Sequence, residues 1–236
     1  MEIDKSAFQQ IHDVLDEKAI ATNKYRTSVG IGKSQCFGMV RKRSMAPDLS
    51  RQSWLHPKLH HLLMEFARLY VDIPFTSIQV NDCYPCAVHT DKHNLGDSFI
   101  VGLGDYQGGA LRVWEDGKSL DIDIKYRPYK FNGSLIRHET APFTGRRISL
   151  VYHTLVSPSR FPMVRSLSDY EAVAISGQWM IAFRQPGLPV RYLTPSDGLD
   201  HPLKGRKKDL VVNIPPNPFV TEAQNLLFRT IIENHK

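Results

Sequence analysis

The sequence has 236 residues, of which 42% are hydrophobic and 23% are charged, and its formal net charge is +6. This length suffices for one domain with a sizeable core, and the composition excludes wholly disordered, collagen-like and coiled-coil chains. The three cysteines, Cys36, Cys83 and Cys86, are too few for a disulfide framework and indicate a reducing compartment.

The N-terminus lacks the basic and apolar segments of a signal peptide, and no apolar run approaches the roughly 20 residues that span a bilayer. We therefore expect a soluble intracellular protein, in the nucleus or the cytoplasm, without a membrane partner. Two basic clusters, at residues 41–43 and 204–208, suit contact with the phosphates of a nucleic acid, although each alone also suits a solvated loop.

Hydrophobic periodicity predicts two amphipathic helices, over residues 6–20 and 56–70, with strands or irregular loops over residues 27–42 between them. From residue 75 the period changes to two, which is typical of strands. Turn residues such as Asn and Gly separate the apolar runs. The predicted strands are residues 77–80, 98–103, 110–114, 120–124, 134–138 and 147–156.

Short strands in series favour a sandwich or barrel with the helices packed on its outside, and thus a fold of the α+β class that is mainly β. Residues 1–75 are expected to form a helical and mixed support region, residues 76–156 the β core, and residues 157–236 an extension packed on that core, within one compact domain. We expect the extension to cover the mouth of the barrel and to end in a helix, with Thr221 and Gln224 as its capping box.

Three residues form a candidate metal site: His89, Asp91 and His138, here called the triad. Residues i and i+2 of a strand project to the same side, so His89 and Asp91 face one point, and His138 at the end of a later strand supplies a third ligand. Two histidines and one carboxylate form the facial triad of non-haem Fe(II) oxygenases, which leaves metal positions open for a cosubstrate and O2. The same residues also fit a zinc or manganese cupin, or three unrelated polar residues on a sandwich.

Arg147 and Ser149 share one face of the last predicted strand of the core. A fixed guanidinium beside a hydroxyl suits the far carboxylate of a dicarboxylate, because a guanidinium binds a carboxylate through two parallel hydrogen bonds. The near end of the same molecule, a 2-oxo acid, would chelate the metal. Tyr84 is a candidate second partner of the far carboxylate, whereas Arg146 projects to the opposite face and is interpreted as a surface charge.

The triad followed by Arg147-x-Ser149 resembles the pattern of the Fe(II)/2-oxoglutarate-dependent dioxygenases, over roughly residues 76–156. The resemblance implies a double-stranded β-helix (jelly-roll) core and an oxidoreductase that hydroxylates a C–H bond. It also implies that the triad binds Fe(II), and that Arg147, assisted by Ser149, binds the cosubstrate 2-oxoglutarate. O2 would be the oxidant, and ascorbate would serve as a reductant.

Within that superfamily the sequence is similar to the TET/JBP group, which oxidises the methyl group of 5-methylcytosine or thymine in nucleic acid. The likeness lies in the run His-Thr-Asp-Lys-His-Asn around the first two triad residues, in Arg-Ile-Ser-Leu-Val from Arg147, and in residues 102–113. It implies that Asn94 contacts the target base, at a position that equally suits a turn residue. His93 and His153 are further substrate candidates, and His153 stands where TET enzymes carry a base-contacting tyrosine.

The favoured hypothesis is an enzyme that oxidises a pyrimidine base, with DNA before RNA as its partner. One alternative is a 2-oxoglutarate oxygenase acting on a protein side chain or a small molecule, because the same iron site serves all these substrates. Another is a jelly-roll binding module without activity, which the intact triad disfavours. Cys83 and Cys86 have the spacing of a zinc half-site, but with no second pair we expect two buried thiols.

Overall fold

The computed structural model describes residues 3–17, 20, 22, 29–30, 32–41, 47–155 and 165–193. The predicted C-terminal helix and the basic cluster at residues 204–208 lie outside these ranges, as do Lys42 and Arg43 of the other cluster. The described helices are α1 (Lys5–Glu17), α2 (Arg51–Leu55) and α3 (Pro57–Tyr70). The described strands are β1 (Lys33–Val40), β2 (Asp48–Leu49), β3 (Ser77–Asp82), β4 (Asn94–Leu103), β5 (Tyr106–Gly108), β6 (Leu111–Glu115), β7 (Lys118–Ile122), β8 (Tyr129–Phe131), β9 (Arg137–Thr140), β10 (Phe143–Gly145), β11 (Ile148–Leu155), β12 (Tyr170–Ile175), β13 (Gln178–Phe183) and β14 (Arg191–Leu193).

The largest sheet has six antiparallel strands in the order β2-β1-β3-β11-β4-β8. Smaller sheets in the described ranges have the orders β10-β5, β7-β6-β9 and β12-β13-β14. Ile100 of β4 and Val151 of β11 belong to one apolar cluster with Leu111 and Val113 of β6, so the large sheet and the β7-β6-β9 sheet form two packed layers. The predicted mainly β fold of the α+β class, with a jelly-roll core, is confirmed.

Helices α1 and α3 pack on the outer face of the large sheet, as predicted. Strand β11 lies between β3 and β4 within this sheet, and its alternate residues Ile148, Leu150 and Tyr152 are fully buried under the helices. The Tyr152 hydroxyl donates a hydrogen bond of 2.8 Å to the Leu63 carbonyl of α3, which satisfies a polar group inside the core. The residues between these three therefore face the second layer.

Both helix predictions are confirmed with changed bounds, since α1 ends at Glu17 and a short helix, α2, precedes α3. Pro57 opens α3, where its missing N–H costs nothing. The hydroxyl of Ser50, the N-cap of α2, accepts a hydrogen bond of 3.1 Å from the Ser53 amide. None of the helices in the described part of the chain combines the length and the apolar character needed to cross a membrane.

Most predicted strands are present with shifted ends, but the prediction of residues 134–138 as a strand is wrong in its first half. Residues 133–136 form a turn, in which the Asn132 carbonyl accepts two amide hydrogen bonds of 3.1 and 2.9 Å and the Asn132 side chain accepts from Ser134. Strand β9 therefore begins only at Arg137. This turn chemistry of Asn outweighs the apolar character of the segment.

The described part of the C-terminal extension, residues 165–193, forms the β12-β13-β14 sheet and packs against α3. Asp48 of β2 fastens it, because this carboxylate accepts hydrogen bonds from the Tyr170 hydroxyl and from Arg165, the latter at 3.0 Å. Residues 165–193 line none of the cavity described below. This part of the extension therefore does not form the cavity wall, and the prediction for the rest of the extension lies outside the described residues.

His60 on α3 is fully buried, and neither ring nitrogen has a hydrogen-bond partner among the described residues. Burial, with a smaller contribution from the charge of the neighbouring His61, lowers the pKa of His60 from 6.5 to about 4. The unfolded chain gains a proton at this histidine below about pH 6.5, while the folded chain does not. Its contribution to stability is therefore complete above that pH and is lost as the pH falls towards 4.

We predict that the free energy of unfolding decreases by about 2 kcal/mol between pH 7 and pH 5, as measured by urea denaturation. A His60→Leu variant should keep a nearly constant free energy over this interval. His93 is exposed, so His93→Gln is the matched control and should retain the wild-type slope. If His60→Leu keeps the wild-type slope, another group causes the loss.

Candidate active site

Between the two layers lies a cavity of about 550 Å³, a volume typical of small-molecule sites. The wall of this cavity combines residues that are far apart in the sequence. The roles of these residues remain predictions. The walls include every residue predicted for the site: Tyr84, His89, Asp91, His93, Asn94, His138, Arg147, Ser149 and His153.

The triad side chains converge on one point. Nε2 of His89 lies 3.6 Å from Oδ1 of Asp91, and Nε2 of His138 lies 3.7 Å from Oδ2 of Asp91. One ligand atom from each residue lies within 4.8 Å of the other two. His89 and His138 form an isolated antiparallel bridge, in which their main chains exchange hydrogen bonds of 3.0 and 2.9 Å. The His89 segment thus forms a bridge and not the full strand expected, yet the bridge holds the two imidazoles side by side.

Backbone carbonyls fix the tautomer of both histidines. Nδ1 of His89 lies 2.7 Å from the Ala87 carbonyl oxygen, and Nδ1 of His138 lies 2.9 Å from the Ile136 carbonyl oxygen. A carbonyl can only accept, so each Nδ1 carries the proton and each Nε2 has its lone pair available to a metal. Such a partner on the remote ring nitrogen is typical of metal-binding histidines.

Gly133 leaves space beside the triad. A β-carbon here would lie 3.3 Å from Oδ2 of Asp91 and 3.4 Å from Cε1 of His138. The Gly133 carbonyl also accepts a hydrogen bond of 2.8 Å from the backbone N–H of Asp91, which fixes the main chain that carries this carboxylate. Two imidazole nitrogens and one carboxylate oxygen, converging beside open space, fit Fe(II).

Arg147 is a buried cation, with only 2% of its surface exposed. Its Nε donates a hydrogen bond of 2.9 Å to the Gly109 carbonyl, and its guanidinium lies 5.8 Å from the ring centroids of Tyr106 and Phe143. Within the described ranges no carboxylate pairs with it, and burial lowers the pKa of Arg147 because its charged form is desolvated. Such a cation is costly unless an anion binds beside it.

Tyr106 supplies a second unsatisfied group next to this cation. Its hydroxyl is buried and has no hydrogen-bond partner in the part of the chain that the structure describes. Burial raises the pKa of Tyr106 to about 12, so the hydroxyl is a neutral donor. A β-carbon at Gly102, the cross-strand partner of Ser149, would collide with this hydroxyl, which places it beside the Ser149 strand. Arg147 and Ser149 line the cavity and together fit one carboxylate of 2-oxoglutarate, while Tyr106 is not part of the cavity wall.

Tyr84, the residue predicted as a second carboxylate partner, lines the cavity, but its hydroxyl donates a hydrogen bond of 3.0 Å to the Gly30 carbonyl. Tyr106 is the neighbour of Arg147 that the sequence analysis missed. The signal available for it was its place inside the family-like segment of residues 102–113.

The interpretation of Arg146 as a surface charge is wrong. Its guanidinium is half-buried, and it pairs with Asp82 at 3.1 Å and with Asp16 of α1. This contact lowers the pKa of the Asp16 carboxyl. Alternation does turn Arg146 away from Arg147, but α1 passes over that face, so the charge fixes the helix to the end of β3.

The predicted substrate residues His93, Asn94 and His153 line the same cavity as the triad. Asn94 is the first residue of β4, and its backbone N–H donates a hydrogen bond of 2.9 Å to the Asp91 carbonyl. Nη1 of Arg41 lies 2.9 Å from Nδ1 of His93. The described residue of the first basic cluster is therefore in direct contact with a residue of the cavity wall.

Gln79 and Asn81 of β3 also line the cavity, although the sequence analysis did not single them out. The alternation of side chains along β3 could have identified them, because the intervening residues Ile78 and Val80 belong to the core under the helices. Two polar residues on the inner face of a buried strand indicate a polar floor for the cavity.

The prediction of two buried thiols at Cys83 and Cys86 is wrong. Neither cysteine forms a disulfide within the described residues, Cys83 is exposed and Cys86 is half-buried. Cys83 has a φ of 51°, a left-handed conformation that turns the chain at the end of β3. This turn after the last residue of β3 leaves the Cys83 side chain exposed to solvent.

No protein-family model and no curated protein sequence matches this chain. Among solved structures, it is similar to NgTET1 in complex with 5mC DNA, with 13% identity and a TM-score of 0.48 over 70% of this chain and 73% of that one. It is also similar to a 2OG-Fe(II) oxygenase family oxidoreductase from Burkholderia pseudomallei, with 16% identity and a TM-score of 0.42 over 64% of this chain and 78% of that one. A prolyl-4-hydroxylase from Pseudomonas putida matches with 15% identity and a TM-score of 0.42 over 65% of this chain and 88% of that one.

These are similarities of fold alone, at 16% identity or less. The cavity of this chain holds a His-Asp-His cluster, a donor set that suits Fe(II).

Replacing His89 with alanine removes one of the three converging ligand atoms. We predict that the affinity for Fe(II) or Mn(II), measured by anaerobic titration calorimetry, falls by about 100-fold or more. His93→Ala is the matched control, because His93 lines the same cavity outside the triad. Equal losses in the two variants would contradict the assignment of the metal to the triad.

The neighbours Arg146 and Arg147 allow a test in which each variant controls for the other. Arg147→Gln should weaken 2-oxoglutarate binding by about 100-fold, since two charge-assisted hydrogen bonds are lost. Arg146→Gln should leave that affinity unchanged and lower the free energy of unfolding by about 1 kcal/mol, because its ion pairs are partly exposed. Calorimetric binding and urea denaturation measure the two effects, and the opposite assignment of losses would refute the inward orientation of Arg147.

Proposed function

We propose that this chain is an Fe(II)- and 2-oxoglutarate-dependent dioxygenase that hydroxylates the methyl group of 5-methylcytosine or thymine in nucleic acid. One observation carries the proposal. The converging triad and the buried Arg147, which has no acid partner among the described residues, line the same cavity. A molecule with a metal-chelating 2-oxo acid at one end and a carboxylate at the other satisfies both.

His89, Asp91 and His138 would hold the metal, and Arg147 with Ser149 would hold the far carboxylate of the keto acid. When bound, Fe(II) and 2-oxoglutarate supply the oxidising chemistry, in which O2 converts the keto acid to succinate and CO2 while a C–H bond of the substrate becomes C–OH.

The chain's own contribution is orientation and exclusion of water. The protonated Nδ1 atoms of His89 and His138 keep both Nε2 atoms facing the metal position. The Nε–Gly109 hydrogen bond leaves the two terminal nitrogens of Arg147 to bind a carboxylate. Apolar side chains of the cavity wall limit competing water around these groups. They are Ile100, Leu111, Phe131 and Val151.

Three features support a nucleic-acid base as the substrate. The Asn94 side chain carries both a donor and an acceptor, which is what reading a base edge requires. Lys92 and the Arg41–His93 pair place positive charge beside the cavity, suited to phosphates. The net charge of +6 has the same sign. A base in a duplex would have to leave its stack to enter.

A protein side chain is the second candidate substrate. Val88 and Leu95 are exposed apolar residues, and they are the sequence neighbours of His89 and Asn94 in the cavity wall. An apolar rim of this kind suits an extended peptide segment.

Nucleoside mass spectrometry tests the proposal. The purified chain would be incubated with Fe(II), 2-oxoglutarate and ascorbate on DNA and RNA that contain 5-methylcytosine and thymine. We expect an oxidised base that is absent with His89→Ala, and binding to DNA that weakens as the salt concentration rises. Asn94→Ala should lose base oxidation while still converting 2-oxoglutarate slowly to succinate, because it leaves the metal and the keto acid in place.

The outcomes separate the parts of the proposal. Succinate without any altered base keeps the oxygenase and refutes the nucleic-acid substrate, and peptide libraries then become the substrates to try. Neither succinate nor an altered base from a chain that has bound Fe(II) refutes the oxygenase.

A further inference from the structure

A row of buried polar side chains crosses the inner face of the large sheet. Ser34 of β1, Asn81 of β3 and Ser149 of β11 are direct cross-strand partners. Each is at most 6% exposed. Val80 beside Asn81, and Ile148 and Leu150 beside Ser149, are packed into the core under the helices. Asn81 and Ser149 line the cavity, so the buried row leads to the cavity floor.

Hydrogen bonds run through this row in one direction. Nε2 of Gln79 donates to Oγ of Ser34 at 2.8 Å, and Oγ of Ser34 donates to Oδ1 of Asn81 at 2.6 Å. Nδ2 of Asn81 then donates to Oγ of Ser149 at 3.1 Å. The Ser34 hydroxyl thus both accepts and donates one hydrogen bond.

Because the hydrogen bonds run in this direction, the Ser149 hydroxyl proton has no acceptor within the row. Ser149 accepts from Asn81, so its own O–H must point elsewhere, and it has no acceptor among the described residues. Ser149 lines the cavity beside Arg147, where an anion would lie. A hydroxyl that is already accepting one hydrogen bond is a stronger donor for a second, because chains of hydrogen bonds polarise one another.

We propose that Gln79, Ser34 and Asn81 are positioning residues, which orient and polarise the Ser149 hydroxyl as a donor to the far carboxylate of the keto acid. This inference rests on the proposed function. It adds that selectivity for a five-carbon dicarboxylate over a monocarboxylate depends on residues that act through Ser149. Reversal of the row would turn the Ser149 proton towards Asn81 and present a lone pair to the carboxylate, which repels it.

Binding of two keto acids tests the role without turnover. The affinities of the Mn(II)-loaded chain for 2-oxoglutarate and for 2-oxopentanoate, which lacks the far carboxylate, would be measured by calorimetry without O2. The wild type should prefer 2-oxoglutarate. Asn81→Leu, whose side chain has a similar branched shape but forms no hydrogen bonds, should lose about tenfold in 2-oxoglutarate affinity and nothing for 2-oxopentanoate.

Further variants distinguish positioning from a general structural effect. Ser149→Ala should show the same selective loss, and the double variant with Asn81→Leu should bind no more weakly than Ser149→Ala alone, since Asn81 acts through Ser149. Ser34→Ala should give a smaller loss in the same direction, and it protects the test if Asn81→Leu does not fold. Ser77→Ala is the matched control, because Ser77 is a buried serine on β3 whose hydroxyl donates to the Met39 carbonyl at 2.6 Å, outside the row.

Equal losses for both keto acids, or additive effects of Asn81→Leu and Ser149→Ala, overturn the positioning role. A loss in Ser77→Ala as large as in Ser34→Ala does the same. A wild-type chain that binds Mn(II) but shows no preference for 2-oxoglutarate refutes the proposed function itself, and the positioning role falls with it.

Discussion

Strand β11 is buried on both faces, and the alternation of its side chains links the core to the site. Ile148, Leu150 and Tyr152 fill the layer under α1 and α3, which leaves Ser149 and the preceding Arg147 no choice but to face the cavity. A slip of one residue would bring the guanidinium under the helices and three apolar side chains into a polar cavity. The apolar packing of the helices is thus what holds the register of the ligand-binding residues, and the hydrogen-bonded row across β1, β3 and β11 depends on the same register.

The site also contains polar groups whose burial lowers the stability of the fold. Arg147 is buried without an acid among the described residues, and the Tyr106 hydroxyl is buried without a hydrogen bond there. Both groups would be better solvated in water, and an anion bound beside Arg147 would offset the cost of burying its charge. Elsewhere the same structure pairs its partly buried charges, as Arg146 does with Asp82 and Asp16. Arg146 is therefore paired within the fold, whereas the charge of Arg147 has no acidic partner among the described residues.

Local patterns carried most of what the sequence could predict. The period of two, the His-x-Asp pair and Arg147-x-Ser149 are all readable over a few residues, and they gave the mainly β fold and the set of side chains around the cavity. What failed depended on contacts between distant segments. Arg146 was misread because nothing local shows that α1 passes over it, and Tyr106 was missed because its hydroxyl matters only through its closeness to Arg147 and Gly102. The turn at Asn132 replaced half a predicted strand because one amide side chain satisfied the backbone locally.

The side chains that would touch metal and cosubstrate are steadied by the main chain. His89, His138 and Arg147 are each oriented by a carbonyl oxygen, from Ala87, Ile136 and Gly109 respectively. A carbonyl is present whatever residue occupies its position, so the support from Ala87 and Ile136 does not depend on their side chains. Gly109 is different, because its φ is 69° and a β-carbon there would lie 2.7 Å from Cδ of Arg147. Relatives of this chain can therefore drift widely around the site without disturbing its geometry, provided the backbone path is kept. Divergence of that kind leaves a small set of recognisable letters in an otherwise unfamiliar sequence.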